Sequence, residues 1–226
     1  MENVVNDNIM SLPVMMNDIQ TLLIRRLDDS DSEMVIAAIQ AAGYFRTRMM
    51  ISALIDRLVR FDSAALIWVY KVLPTMGAQV ASEFLLDILE TWKECPDAAY
   101  QKRFYTYLAA LTYTVTPILE ERIMALYDRF YLAAQRTAES PRDDPTWAER
   151  AEFVRIAHRV LSFRSPLPIW GFVLLSQLIK DPHPKVRLEA IRTLNTNLQR
   201  LAGAPIWEVR PDQDVDKLNR PRDNQS

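Results

Sequence analysis

Apolar residues recur along this chain at intervals of three and four, and the strict alternation of a half-buried strand is nearly absent. The spacing predicts an all-α protein built from five helix pairs. The first helices of the pairs fall at about 12–27, 46–60, 78–92, 117–134 and 166–180, and the second helices at about 31–44, 63–76, 97–113, 145–162 and 184–201. Gly43 and Gly77 stand where helices should stop. Pro117, Pro145, Pro166 and Pro184 stand where helices should start, since a first helical turn does not use the N–H that proline lacks. Ser30-Asp31-Ser32-Glu33 has the form of a capping box, which predicts Ser30 as the N-cap of the first second helix. The most apolar stretch, Ala64 to Leu73, is short and interrupted by Lys71, so it reads as a buried central helix and no membrane span is expected.

The helix pattern also repeats. Asp29, Met34, Ala38 and Ile39 superimpose on Asp181, Val186, Ala190 and Ile191. The offset of 152 residues holds four intervals of 38, and Asp62, Asp97 and Asp144 supply turn residues between the two ends. On the last second helix, Val186, Ala190, Ile191, Leu194 and Leu198 form the expected inward stripe. Lys185, Glu189, Arg192, Thr196 and Gln199 form the opposite face, and Glu152, Arg155, Arg159 and Ser162 occupy the same face one pair earlier.

The segment from Pro168 to Leu201 runs from one amphipathic helix through an Asp/Pro turn into a second, with Asp181, Val186, Arg187 and Ala190 in a D-x-x-x-x-V-R-x-x-A arrangement. It resembles a HEAT repeat. The resemblance is good for the last pair, fair for the first and weak for the middle three. It implies a right-handed α-α superhelix, a short HEAT-like solenoid over residues 1–203, with second helices lining a concave side and a polar C-terminal arm over 204–226. It also implies that Arg187 and Asp181 belong to a ladder in which such arginines pair with the turn aspartates of stacked repeats, a ladder left incomplete by Val35 and Trp68. The implied function is a non-catalytic scaffold or adaptor for a protein partner. The partner would be bound on the concave face through Arg155, Arg159, Lys185 and Arg192, or through the arm. Two further resemblances imply other roles. Alkylpurine DNA glycosylases are compact HEAT-like solenoids, and the same four cations would then contact phosphates. Bacterial bilin lyase subunits carry a similar short repeat.

Composition narrows these choices. Net charge is −2, but 12 basic and 17 acidic residues lie through Ala134, against 11 and 7 from Gln135 to Arg200. That basic half is weak beside the faces of nucleic-acid binders. Four glycines exclude a P-loop or dinucleotide fingerprint. His158, His183 and Cys95 lie too far apart in sequence to suggest a metal or nucleophile cluster. The pairs Asp28/Asp29, Glu120/Glu121 and Asp143/Asp144 fall at turns and helix ends, where solvation and helix dipoles explain them. No cofactor or metal is therefore expected. A single cysteine and the absence of a signal-like N-terminus fit a reducing cytoplasm. Tyr100, Phe104, Tyr105, Tyr107 and Tyr113, with Lys102 and Arg103 between them, are expected mainly to fill the core with hydroxyls at its rim, the alternative being to stack on bases or bind a peptide. Ile206, Trp207 and Val209 are the apolar exception in the arm, and packing back onto the last helix as a cap is the alternative to a free arm. Met10, Leu12, Val14, Met15 and Met16 make the other end apolar enough for self-association, or for the first helix's own core.

Overall fold

The computed structural model describes residues 12–91, 98–137, 147–163 and 167–203. Every regular element among them is helical: α1 (Leu12–Arg26), α2 (Ser32–Ala42), α3 (Arg48–Ile55), α4 (Ser63–Thr91), α5 (Ala98–Thr114), α6 (Glu120–Thr137), α7 (Trp147–Leu161), α8 (Trp170–Leu178) and α9 (Pro184–Leu201). Single 3-10 turns occupy Leu58–Arg60 and Pro117–Leu119. Helices adjacent in sequence pack together: α1 on α2, α3 on α4, α6 on α7 and α8 on α9. A second set of contacts runs across them, α2 on α4, α4 on α5, α5 on α7 and α7 on α9. The apolar residues between them form one continuous cluster from Leu27 to Ala190. Its aromatic centre joins Tyr127 edge-on to Phe153, and Phe104 to Phe130.

The two helices expected on either side of Gly77 form the single element α4, broken where φ at Gly77 reaches 156°. Three residues earlier Pro74 removes one helical N–H, so the break has a local cause on each side. By length and hydropathy α4 meets the description of a membrane-crossing helix. Part of its apolar surface, including Val69, Leu73, Leu85 and Leu86, is buried in a helix that contacts α2, α3, α5 and α6. Gly43 ends α2 in ordinary right-handed backbone. A Cβ there would sit 3.1 Å from Val72, so glycine serves a close approach to α4.

The capping expectation needs correction by one residue. Asp31, not Ser30, caps α2 by accepting from the Glu33 amide at 2.9 Å. Pro117 and Pro184 do open their helices. Pro145, Pro166, Cys95, the loop from Glu139, the arm after Gly203 and Met10 lie outside the described residues.

Arginines bridge the pairs. Arg57 forks onto Asp28 at 2.9 and 2.7 Å, tying the turn after α3 to the turn after α1. Arg122 on α6 reaches Asp87 and Glu90 on α4. The third bridge lies wholly inside the protein: Arg150 on α7 donates to both oxygens of Asp181 at 2.7 and 3.1 Å, with neither side chain exposed. Arg187 was expected to pair with a turn aspartate of a stacked repeat. Arg187 instead donates to the carbonyls of Asp181 and Pro182, and so clamps the turn backbone from its other side.

Removing one partner of a buried pair leaves an uncompensated charge. Arg150→Met is therefore expected to cost about 3–5 kcal/mol, and Arg150→Met with Asp181→Leu to recover most of it. Chemical denaturation of the three proteins measures this, and a single variant within 1 kcal/mol of the parent would contradict it. Gly77→Ala forces a Cβ into backbone that L-residues avoid and should cost about 1–3 kcal/mol in the same assay.

Candidate functional site

The site is easiest to build from α9. At about 100° per residue, its 18 residues divide into three sides. Val186, Ala190 and Asn197 are buried against the neighbouring helices. Lys185, Glu189 and Arg192 are exposed and polar on a second side. Leu188, Ile191, Leu198 and Leu201 occupy the third, and each is about half exposed. The expected inward stripe was therefore rotated: Ile191 and Leu198 do not enter the core, and Asn197 does. Periodicity marks apolar sides and does not say which of two adjoining sides is covered.

On α7 the polar side is not uniform either. Glu152, expected among exposed residues, is 2% exposed. Its carboxylate accepts from Tyr105 at 2.8 Å, from Thr112 at 3.2 Å and from Arg155. A carboxylate with three donors is satisfied despite burial, and it fixes the positions of those donors. Arg155 keeps most of its side chain in solvent, at 62% exposure. Burial and then the bond to Glu152 push the Tyr105 phenol pKa up. About two turns further along α5, Tyr113 stacks on Tyr70 of α4 with ring centroids 4.9 Å apart and planes 8° from parallel. Burial first, then the proximity of Tyr113, Glu152 and Tyr105, pushes the Tyr70 phenol up to about 12. Phe104 and Tyr107 fill the core as expected, whereas Tyr105 and Tyr113 face outward.

A shallow cavity of about 240 Å³ continues this surface between α7 and α9, lined by Arg155, His158, Glu189, Arg192, Thr193 and Thr196. Arg155 and Arg192 thus come together as expected. Arg159 is exposed one turn beyond Arg155 and does not line the cavity. Lys185 sits over the Trp147 ring at 4.7 Å, and that ring stacks on His183 at the start of α9, so Lys185 belongs to a separate cluster. His183 occupies the N-cap position, but its backbone amide, not its ring, makes the turn bond to Asp181. His158 holds Nδ1 3.1 Å from the Asn197 amide, which also donates to the Thr193 carbonyl. Partial burial, then the charge of Arg200, pull the His158 pKa below its ordinary value.

The larger cavity, about 460 Å³, lies at the turns around Asp28, Asp29 and Asp62. All three carboxylates already hold partners: Arg57 for Asp28, Arg26 and the Asp31 amide for Asp29, Ser32 and the Ala65 amide for Asp62. Those bonds depress their pKa values. Among the described residues no three His, Cys, Asp or Glu side chains come together as a metal would require. No known family, characterised protein or solved structure matches this chain.

The residues that sequence reasoning missed are Glu152 as a buried anchor and Tyr70 as surface; for Tyr105 and Tyr113 it favoured the core over the surface they occupy. One signal was present. Glu189 and Arg192 stand 37 residues after Glu152 and Arg155, the same spacing as Asp144 and Asp181, so one polar pair recurs on successive helices.

A depressed histidine pKa makes the neutral form the stabilising one. The unfolded chain then binds the extra proton first, and stability falls as pH drops below about 6.5. His158→Gln keeps an acceptor for Asn197 without that titration. The variant is expected to lose less stability than the parent between pH 7 and pH 5, as read by thermal melts at each pH. Identical pH profiles would exclude the role.

Proposed function

We propose that this chain is a short HEAT-like solenoid, a right-handed α-α superhelix that acts as a non-catalytic scaffold and holds an extended segment of a protein partner across α5, α7 and α9. One observation carries the reading: buried Glu152 locks Tyr105 and Arg155 side by side at the surface before any partner arrives. Tyr and Arg are the residue types that supply most energy at protein interfaces, and fixing them beforehand lowers the ordering cost of binding.

The repeat reading has support of its own. Arg150 is the sixth residue after Asp144, as Arg187 is the sixth after Asp181. The bond from Arg150 to Asp181 is therefore a contact from one pair's arginine to the next pair's turn aspartate, as a stacked-repeat ladder requires. The contacts α5 on α7 and α7 on α9 align their polar sides into one surface.

Charge disfavours a nucleic-acid duplex as the ligand. Glu152 is bonded to Arg155, and Glu189 lines the same cavity as Arg192. Phosphate binding draws on cations whose counterions are released, and neighbouring carboxylates cancel that gain.

The test is affinity purification of the tagged protein from its host at moderate salt, with and without nuclease, read by mass spectrometry. A stoichiometric protein that survives nuclease is expected. Its capture should fall at least about tenfold with Arg155→Gln plus Arg192→Glu, a loss of about 1.4 kcal/mol or more, while circular dichroism stays unchanged. Partners lost on nuclease treatment, or binding untouched in the double variant, would overturn the proposal.

A further inference from the structure

The apolar third side of α9 is a face made for covering. Thirty-seven residues earlier, the equivalents of Ile191, Leu194 and Leu198 are Val154, Ala157 and Leu161. On α7, which packs against α9, those three are at most 1% exposed. On α9, Leu188, Ile191, Leu198 and Leu201 stand 44–51% exposed, beside Val173 of α8 at 46%. A side that is core on one helix is thus open on the next, because among the described residues no further helix follows.

We propose that residues 204–209 of this same chain fold back along that side of α9, with Trp207 and Val209 as anchors, and close the C-terminal end of the helix array. Three observations converge on this occupant. The chain leaves α9 through Gly203, whose φ of +73° is left-handed and whose amide bonds back to the Arg200 carbonyl. Such a residue turns the chain away from the helix axis. The next residues are Ala204-Pro205-Ile206-Trp207-Glu208-Val209. Pro205 cannot extend the helix. In extended backbone Trp207 and Val209 share one face while Glu208 takes the other. From Arg210 onward the chain is almost wholly polar, so the apolar content of the arm is concentrated where the turn delivers it.

Reach agrees. Six extended residues span roughly 20 Å, and the helix from Leu201 back to Leu188 spans roughly the same. A segment tethered this closely experiences an effective concentration in the millimolar range, which favours it over a second copy of the chain at ordinary concentrations.

The test uses the full chain. Trp207→Ser is expected to lower Tm by about 3–8 °C and to speed amide exchange in α9 at least about tenfold. Leu198→Ser should do the same, and the double variant should add little beyond either. A second readout does not depend on stability: with Cys95→Ser, the pair Ile191→Cys and Val209→Cys, which the extended course brings level, should close an intramolecular disulfide under mild oxidation. Unchanged Tm and exchange in Trp207→Ser, or a cross-link only between chains, would overturn the proposal. A dimer by light scattering that Ile191→Ser dissociates and Trp207→Ser does not would assign the face to a second copy. None of these outcomes depends on whether a partner binds across α5 and α7.

Discussion

Arg150 and Asp181 meet where neither is reachable by water, and the position of α9 follows from that meeting. A guanidinium and a carboxylate left apart in this interior would each carry an uncompensated charge, so the chain has strong reason to bring α7 and the α8–α9 turn into one geometry. The same carboxylate accepts the His183 amide, and the turn's carbonyls accept Arg187. The turn is therefore held from the preceding helix and from the following one. Exposed pairs such as Arg60–Asp28, at 73% and 44% exposure, contribute little by comparison. What the buried pair contributes is direction. It sets how α9 lies on α7, and so places Arg192 beside Arg155 and turns Leu188, Ile191 and Leu198 outward.

Two buried acids, Asp181 in the α8–α9 turn and Glu152 on α7, thus serve two ends. Asp181 fixes the backbone course of a turn. Glu152 fixes side chains at a surface, because its three donors come from α5 and from α7 itself. In both cases the carboxylate is tolerated inside because its oxygens are bonded. The consequences differ because one set of donors lies in the interior and the other stands at the edge of solvent.

Much of the fold was legible in the chain. The helix spans were readable from three-and-four spacing, and the break at Gly77 from the one residue that tolerates its backbone angles. Two things were not. The Arg150 bridge was hidden because Glu149 stands where the repeat pattern wants an apolar residue, so the motif looked absent and its arginine went unread. The buried stripe of α9 was misassigned because a terminal helix carries two adjoining apolar sides, one for the core and one for a neighbour. Periodicity gives both the same weight, and only packing tells Ala190 from Ile191. Similarly, the candidate surface was half legible. Arg155 and Arg192 stand at equivalent positions of successive repeats, 37 residues apart. The tyrosines beside them come from α4 and α5, and their placement depends on how separate helices stack.

That difference bears on what kind of site this is. A catalytic centre draws attention through residues whose protonation must change in the reaction, and those leave compositional traces such as clustered histidines or opposed carboxylates. The binding surface proposed across α5, α7 and α9 is of another kind. Its one buried acid is bonded to tyrosine, threonine and arginine, and its outward groups are ones that recognise shape and charge. Stacked tyrosines at 70 and 113 add rigid area, and the cavity between α7 and α9 adds a polar recess. In the proposed reading, a surface so arranged selects a ligand by fitting it. The proximity of Glu189 to Arg192 further narrows the choice, since a ligand that brought only negative charge would meet a carboxylate along with each cation. A peptide offering both a carboxylate and donor groups satisfies both.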